Sequence, residues 1–145
     1  MCAPKLRWVA LGIALALIAS ACGSFGPPES CGVGGTADEA KFSQYFAQME
    51  LVDATTGQPG PVDPESGPQF AATAKLEIRA KSKAPVALRA CVQSRRGGGK
   101  IPFDQTQSLP LGPGSLSLGS FAPGSYVVRV VVDGVLVRNL TFMVE

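Results

Sequence analysis

The chain has 145 residues, 46% hydrophobic and 17% charged, with 13 basic and 11 acidic side chains and no histidine. That length carries one domain core of ordinary size. The missing imidazole excludes Ser-His-Asp and Cys-His nucleophile systems, and the near-balance of charge excludes a global basic bias toward nucleic acid.

At the N-terminus, Lys5 and Arg7 precede an apolar run from Trp8 to Ile18, and no acid appears before Glu29. The run is about a dozen residues long, which suits a signal h-region and falls short of the roughly 18–20 that cross a bilayer. It ends in Ile18-Ala19-Ser20-Ala21-Cys22. This stretch resembles the lipobox of bacterial lipoproteins, with Ala19 where that family most often has Leu. The resemblance implies a cleaved signal over residues 1–21, an acyl (palmitate-type) lipid on Cys22 and attachment to a membrane of the cell envelope. Gly23 is not the Asp that the family uses for inner-membrane retention, so the outer membrane is expected where the organism has one. Loss of Lys5 and Arg7 with the signal leaves 11 bases against 11 acids.

Residues 22–35 are rich in Gly, Pro and Ser, lack periodicity, and read as a flexible tether. The domain is expected over residues 36–145. Thr36-Ala37-Asp38-Glu39 has the pattern of a helix capping box, and Phe42, Tyr45, Phe46 and Met49 fall at helical spacing. Tyr45, Ala47, Met49 and Leu51 also alternate as in a strand, with Gln44, Phe46, Gln48 and Glu50 opposite. The reading is a short helical start followed by a first strand near Tyr45–Val52. Asp53 to Pro68 reads as a long Pro/Gly loop.

Phe70, Ala72, Ala74, Leu76, Ile78 and Ala80 then share one face of a half-buried strand, with Thr73, Lys75, Glu77, Arg79 and Lys81 on the other. Lys81 to Pro85 is a turn. Val86, Leu88, Ala90 and Val92 repeat the alternation, with Ala87, Arg89, Cys91 and Gln93 opposite. Gly97-Gly98-Gly99-Lys100 lacks the earlier Gly and the following Ser or Thr of a phosphate loop, so it reads as a surface hairpin loop. Short apolar pieces follow at Ile101–Phe103, Ser108–Leu111 and Ser115–Leu118.

Tyr126 to Val132 is dense in β-branched residues, Asp133-Gly134 signals a hairpin, and Val135 to Val144 runs back. The core face should carry Tyr126, Val128 and Val130 on one strand and Leu136, Leu140, Phe142 and Val144 on the other. A two-residue loop puts these sets on opposite faces. A three-residue loop, Val132-Asp133-Gly134, pairs Val130 with Leu136 and removes the conflict. Arg138 then falls on the core face and reaches out at the rim.

About seven short strands predict an all-β fold, a single antiparallel β-sandwich. Pro123-Gly124-Ser125-Tyr126, alternating Val128-Val130-Val132, Asp133-Gly134 and Phe142-Met143-Val144 resemble the final hairpin of bacterial immunoglobulin-like or fibronectin-III-like modules. The resemblance implies an immunoglobulin-like sandwich in an envelope protein. The Cys…Trp…Cys core of immunoglobulins proper is missing, since the only Trp is Trp8.

With Cys2 lost and Cys22 acylated, Cys31 and Cys91 form an even pair in an oxidising compartment, so a disulfide is expected. The parity of Cys91 places that bond on the outer face, pinning the tether to the sandwich.

Strand alternation puts Lys75, Arg79 and Lys81 on one exposed face, with Arg89 as a neighbour; an acidic envelope protein or polymer is the partner this face suits. Asp53, Asp63 and Glu65 offer the alternatives: a small-ligand or metal loop, or a carboxylate-dependent hydrolase. No calcium-loop spacing is present, and Cys22 and Cys31 lack zinc-site spacing. Tyr45 and Tyr126 read as core-facing rather than as sugar platforms. The expectation is a non-catalytic binding or scaffolding lipoprotein with no cofactor, no metal and no nucleic-acid partner.

Overall fold

Alternation of apolar and polar residues becomes two facing sheets. The computed structural model describes residues 30–96 and 99–145. The predicted signal, Cys22 and the first part of the tether lie outside the described residues, as do Gly97 and Gly98. In chain order the elements are α1 (Glu39–Tyr45), β1 (Phe46–Asp53), β2 (Val62–Asp63), β3 (Gly67–Phe70), β4 (Leu76–Ser82), β5 (Val86–Ser94), β6 (Phe103–Leu109), β7 (Gly112–Gly119), β8 (Gly124–Val132) and β9 (Val135–Val144). Three strands form a sheet in the order β1-β4-β7, and six form the other in the order β2-β3-β9-β8-β5-β6. The chain crosses repeatedly between the sheets, as in immunoglobulin-like sandwiches.

Nine strands stand where about seven are expected. Two of them, β2 and β3, lie in or run out of the segment read as loop. They have two and four residues, too few for periodicity to show. Pro61, Pro64 and Pro68 mask them further. Strand β3 also breaks the antiparallel rule, pairing in parallel with β9 through Gln69–Met143 and Phe70–Val144. The strand read over Phe70–Lys81 is divided accordingly. Phe70 ends β3 in one sheet, the chain turns, and Leu76 opens β4 in the other. Phe70, Ala74, Leu76, Ile78 and Ala80 remain in the core while Ala72 is exposed. The turn read over Lys81–Pro85 starts later, because Ser82 closes β4 and is buried.

The helix cap is Asp38 rather than Thr36: its Oδ1 accepts from the Lys41 N–H at 2.9 Å. An N-cap carboxylate satisfies a donor that the first helical turn leaves free. Strand β1 opens at Phe46, where a register irregularity between Phe46 and Gln48 turns Phe46 inward. Phe46 is 1% exposed, against the alternation read for it. Tyr45 is only partly buried, and its hydroxyl donates to Asp133 Oδ2 at 2.9 Å.

The last hairpin solves its parity problem differently from the expected three-residue loop. Val132 pairs with Val135 across a two-residue turn. Asp133 and Gly134 have φ of 51° and 74°, both left-handed as a type I′ turn requires. The correction comes inside β9, where Val131 pairs with Leu136 but Val130 pairs with Arg138. This bulge gives Val137 the core place expected for Leu136 and turns Leu136 to the outer face. Arg138 sits at the rim as expected. Its guanidinium lies 3.7 Å from the centre of the Phe42 ring and 2.9 Å from Glu39 Oε2, so the charge is stacked and paired.

Leu76, Ile78, Leu88, Val128, Val130 and Phe142 are all buried, as expected. Tyr126 is buried among them, and its hydroxyl donates to the Ala122 carbonyl at 2.7 Å. This is the geometry of the tyrosine corner found in immunoglobulin-like sandwiches. Tyr126→Phe keeps the ring packing and removes only this bond. It is expected to cost about 0.5–1.5 kcal/mol, read as a lower urea midpoint with an unchanged slope.

Candidate functional site: a charged groove and a pinned strap

Strand β4 runs between β1 and β7, so its outward side chains have neighbours on both sides. Arg79 pairs with Glu50 on β1 and Ser115 on β7, and Lys81 pairs with Gln48 and Pro113. These six line a shallow groove of about 430 Å³ on the outer face of the three-stranded sheet. Arg79 is held in place: Nε contacts Glu77 Oε1 at 2.7 Å and Nη1 donates to the Gly57 carbonyl at 3.2 Å. Lys75 lies just before β4, outside the groove but exposed. The structure thus brings Arg79 and Lys81 together as expected. Gln48, Glu50, Pro113 and Ser115 were not legible as site residues, because only the strand register makes them neighbours.

Arg89 does not join them. It stands on β5 in the six-stranded sheet, where Nε and Nη2 bind both oxygens of Asp104 at 2.8 and 2.7 Å. The turn between β4 and β5 crosses from one sheet to the other, so shared parity does not mean a shared face. Arg89 holds the Asp104 carboxyl below its ordinary value by hydrogen bonding, against an opposing desolvation. A lowered carboxylate pKa contributes stability above the unfolded value and loses it as pH falls through the folded one. The pair is partly exposed, so that contribution is small.

Cys31 is bonded to Cys91, with 5.9 Å between the α-carbons. Cys91 belongs to the outward set of β5 and is 0% exposed, so the bond lies outside the core as its parity predicts. A strap follows from Cys31 across the six-stranded sheet. Arg89 Nη1 donates to the Cys31 carbonyl at 3.0 Å, Asn139 Nδ2 to the Gly35 carbonyl at 3.2 Å, and the Asp38 N–H to the Leu136 carbonyl at 2.9 Å. Val131 and Leu136 pair on this same face and are buried although they point away from the core.

The acidic loop disperses. Asp53 Oδ1 accepts from the Thr55 N–H, while Asp63 Oδ1 accepts from the N–H groups of Glu65 and Ser66 and from the Ser66 hydroxyl. These are Asx-type turn contacts, and the bonds from Ser66, side chain first, pull the Asp63 carboxyl below its ordinary value. Among the described residues no three Cys, Asp or Glu side chains gather as a metal site. Asp63, Glu65 and Ser66 instead border a second depression of about 280 Å³ with Arg95, Arg96, Ser125 and Met143. Among the described residues no helix is long and apolar enough to cross a membrane. No family model and no curated protein matches the chain, so its own residues carry the functional reading.

Proposed function

We propose that the chain is a lipid-anchored envelope protein, in the outer membrane where there is one, whose sandwich binds or scaffolds an acidic envelope component without catalysis. The observation that carries this reading is the Cys31–Cys91 bond. Cytosolic thiols stay reduced, so the bond supports export, and the lipobox-like Ile18–Cys22 supplies the anchor. Lys81, with Lys75 beside the groove, supplies an attraction for acidic groups, while Arg79 is paired with Glu77 and Glu50 shares the lining; exposed charges contribute about 0.2–1 kcal/mol each. Asp53 and Asp63 engage turn N–H groups, which favours binding over hydrolysis. The depression between Asp63, Glu65, Arg95 and Arg96 favours one second reading, a small zwitterionic ligand.

Labelling with radioactive palmitate and fractionation test the anchor. Wild type is expected to be labelled and to sediment with membranes, held by at least two acyl chains because one holds only marginally. Cys22→Ala is expected to be unlabelled and to lose the processed, membrane-held form; a labelled Cys22→Ala protein, or one that fractionates with membranes in the same form as wild type, overturns the reading. Crosslinked partner recovered from membranes should fall between 0.1 and 1 M salt, as the Debye length shrinks from about 10 to about 3 Å. Recovery indifferent both to salt and to a triple Lys75/Arg79/Lys81→Ala change removes the binding face.

A further inference from the structure

The anchoring chain reaches the sandwich at a point that decides which face looks outward. Cys31 is fixed to Cys91 on the outer side of the six-stranded sheet. The Asn139 contact at Gly35 keeps the strap on that side. The groove of Glu50, Arg79 and Lys81 lies on the outer side of the other sheet. The chain between Cys22 and Cys31 is nine residue steps long. Without the bond, the first backbone tie to a sheet comes at Asp38, sixteen steps from Cys22.

Nine steps reach at most about 30 Å fully extended. Two packed sheets stand about 10 Å apart. With a layer of side chains on each outer surface, the opposite face lies roughly 20 Å from Cys31. Strand β5 is one strand in from the edge strand β6, so a path round that edge adds about 5 Å for each strand crossed. Laying the three-stranded face on the bilayer would therefore use nearly the whole extended length of the tether. Chain entropy opposes such stretching.

We propose that the Cys31–Cys91 bond turns the six-stranded face toward the anchoring bilayer and the Arg79–Lys81 groove away from it, toward a carboxylate-bearing envelope polymer. This rests on acylation of Cys22. The orientation removes the headgroups of the protein's own membrane as the groove's ligand. The lining favours a hydrated polymer over a protein surface: Gln48, Glu50, Lys81 and Ser115 are polar, and no aromatic anchor stands in the groove. Protein interfaces draw most of their binding energy from buried Trp, Tyr and Arg anchors, and the one Arg here, Arg79, is already engaged by Glu77 and the Gly57 carbonyl. The chain has one Trp, in the predicted signal, so a single introduced Trp reports position cleanly.

Thr106 on β6 pairs with Arg89 on the strap side, and Ser117 on β7 pairs with Glu77 on the groove side; both are exposed. Acylated Thr106→Trp and Ser117→Trp proteins are bound to phosphatidylcholine vesicles carrying a dansyl-labelled headgroup. Thr106→Trp is expected to transfer energy more strongly than Ser117→Trp, and adding Cys31→Ser is expected to shrink the difference. Equal transfer with the bond intact, or stronger transfer from Ser117→Trp, overturns the orientation. Failure to float with the vesicles strikes the lipid anchor instead. In a second arm, vesicle-bound protein is expected to bind polygalacturonate, with affinity falling up to roughly fivefold in Lys75→Ala/Lys81→Ala. Binding to anionic vesicles without binding to polygalacturonate overturns the polymer.

Discussion

Phe142→Ala is expected to destabilise the sandwich by about 3–5 kcal/mol, the range for emptying a buried aromatic site. Phe142 is 1% exposed. Its ring centre lies 5.2 Å from that of Tyr126, 5.5 Å from Phe121 and 6.4 Å from Phe70. Those three rings arrive from β8, from the segment before it and from β3, so the cavity would sit where the parallel β3–β9 pair meets the tyrosine corner. Neighbours held by backbone pairing on both sides relax little into such a gap. Domains of this size are stable by about 5–15 kcal/mol in all, so the loss is a large fraction. Thermal unfolding should show a midpoint lower by roughly 10 °C or more. Phe142→Leu keeps most of the volume and should cost well under half as much, which keeps the test readable if the alanine variant does not fold. A Phe142→Ala midpoint equal to wild type would contradict this packing.

The sandwich was legible because most of its strands are long enough to alternate. β5 and β8 run nine residues each; Val86, Leu88, Ala90 and Val92 alternate in β5, the β-branched run of β8 marks a strand, and Asp133-Gly134 marks a hairpin though not its loop length. What escaped was decided by irregularity. The bulge at Val137 could be deduced as a parity conflict but not located, since a longer turn resolves the same conflict. Phe46 hid because a bulge reverses its side, and β2 and β3 because they are short and proline-rich. The disulfide was legible by counting thiols, and its outward face by the parity of Cys91. The groove was half legible: alternation gave Arg79 and Lys81, whereas their neighbours on β1 and β7 depend on register between strands far apart in sequence. Arg89 went to the wrong neighbourhood because strand parity carries no information about which sheet the strand joins.

Removal of the Cys31–Cys91 bond, by reduction or by Cys31→Ser, is expected to be the second large effect. The bonded residues are 60 apart in sequence, and closing a loop of that length in the unfolded chain is worth about 4 kcal/mol, usually an upper figure. Part of the effect should also appear in the folded state. Without its covalent fixed point, the strap is held by the Arg89–Cys31 carbonyl, Asn139–Gly35 and Asp38–Leu136 hydrogen bonds and the capped helix behind them. Asn139–Gly35 is exposed and contributes little on its own. Opening of the strap would uncover Val131 and Leu136, apolar side chains on an outer face that depend on cover to stay dry. Both consequences can be read separately. The urea midpoint reports the global loss. Hydrogen exchange at the amides of residues 35–38 reports local opening, which occurs well below the global unfolding free energy in loosely held segments. Non-reduced protein should take up no alkylating label at either cysteine. A midpoint unmoved by reductant would show that the bond contributes nothing to stability, and full labelling without reductant would show that it does not form.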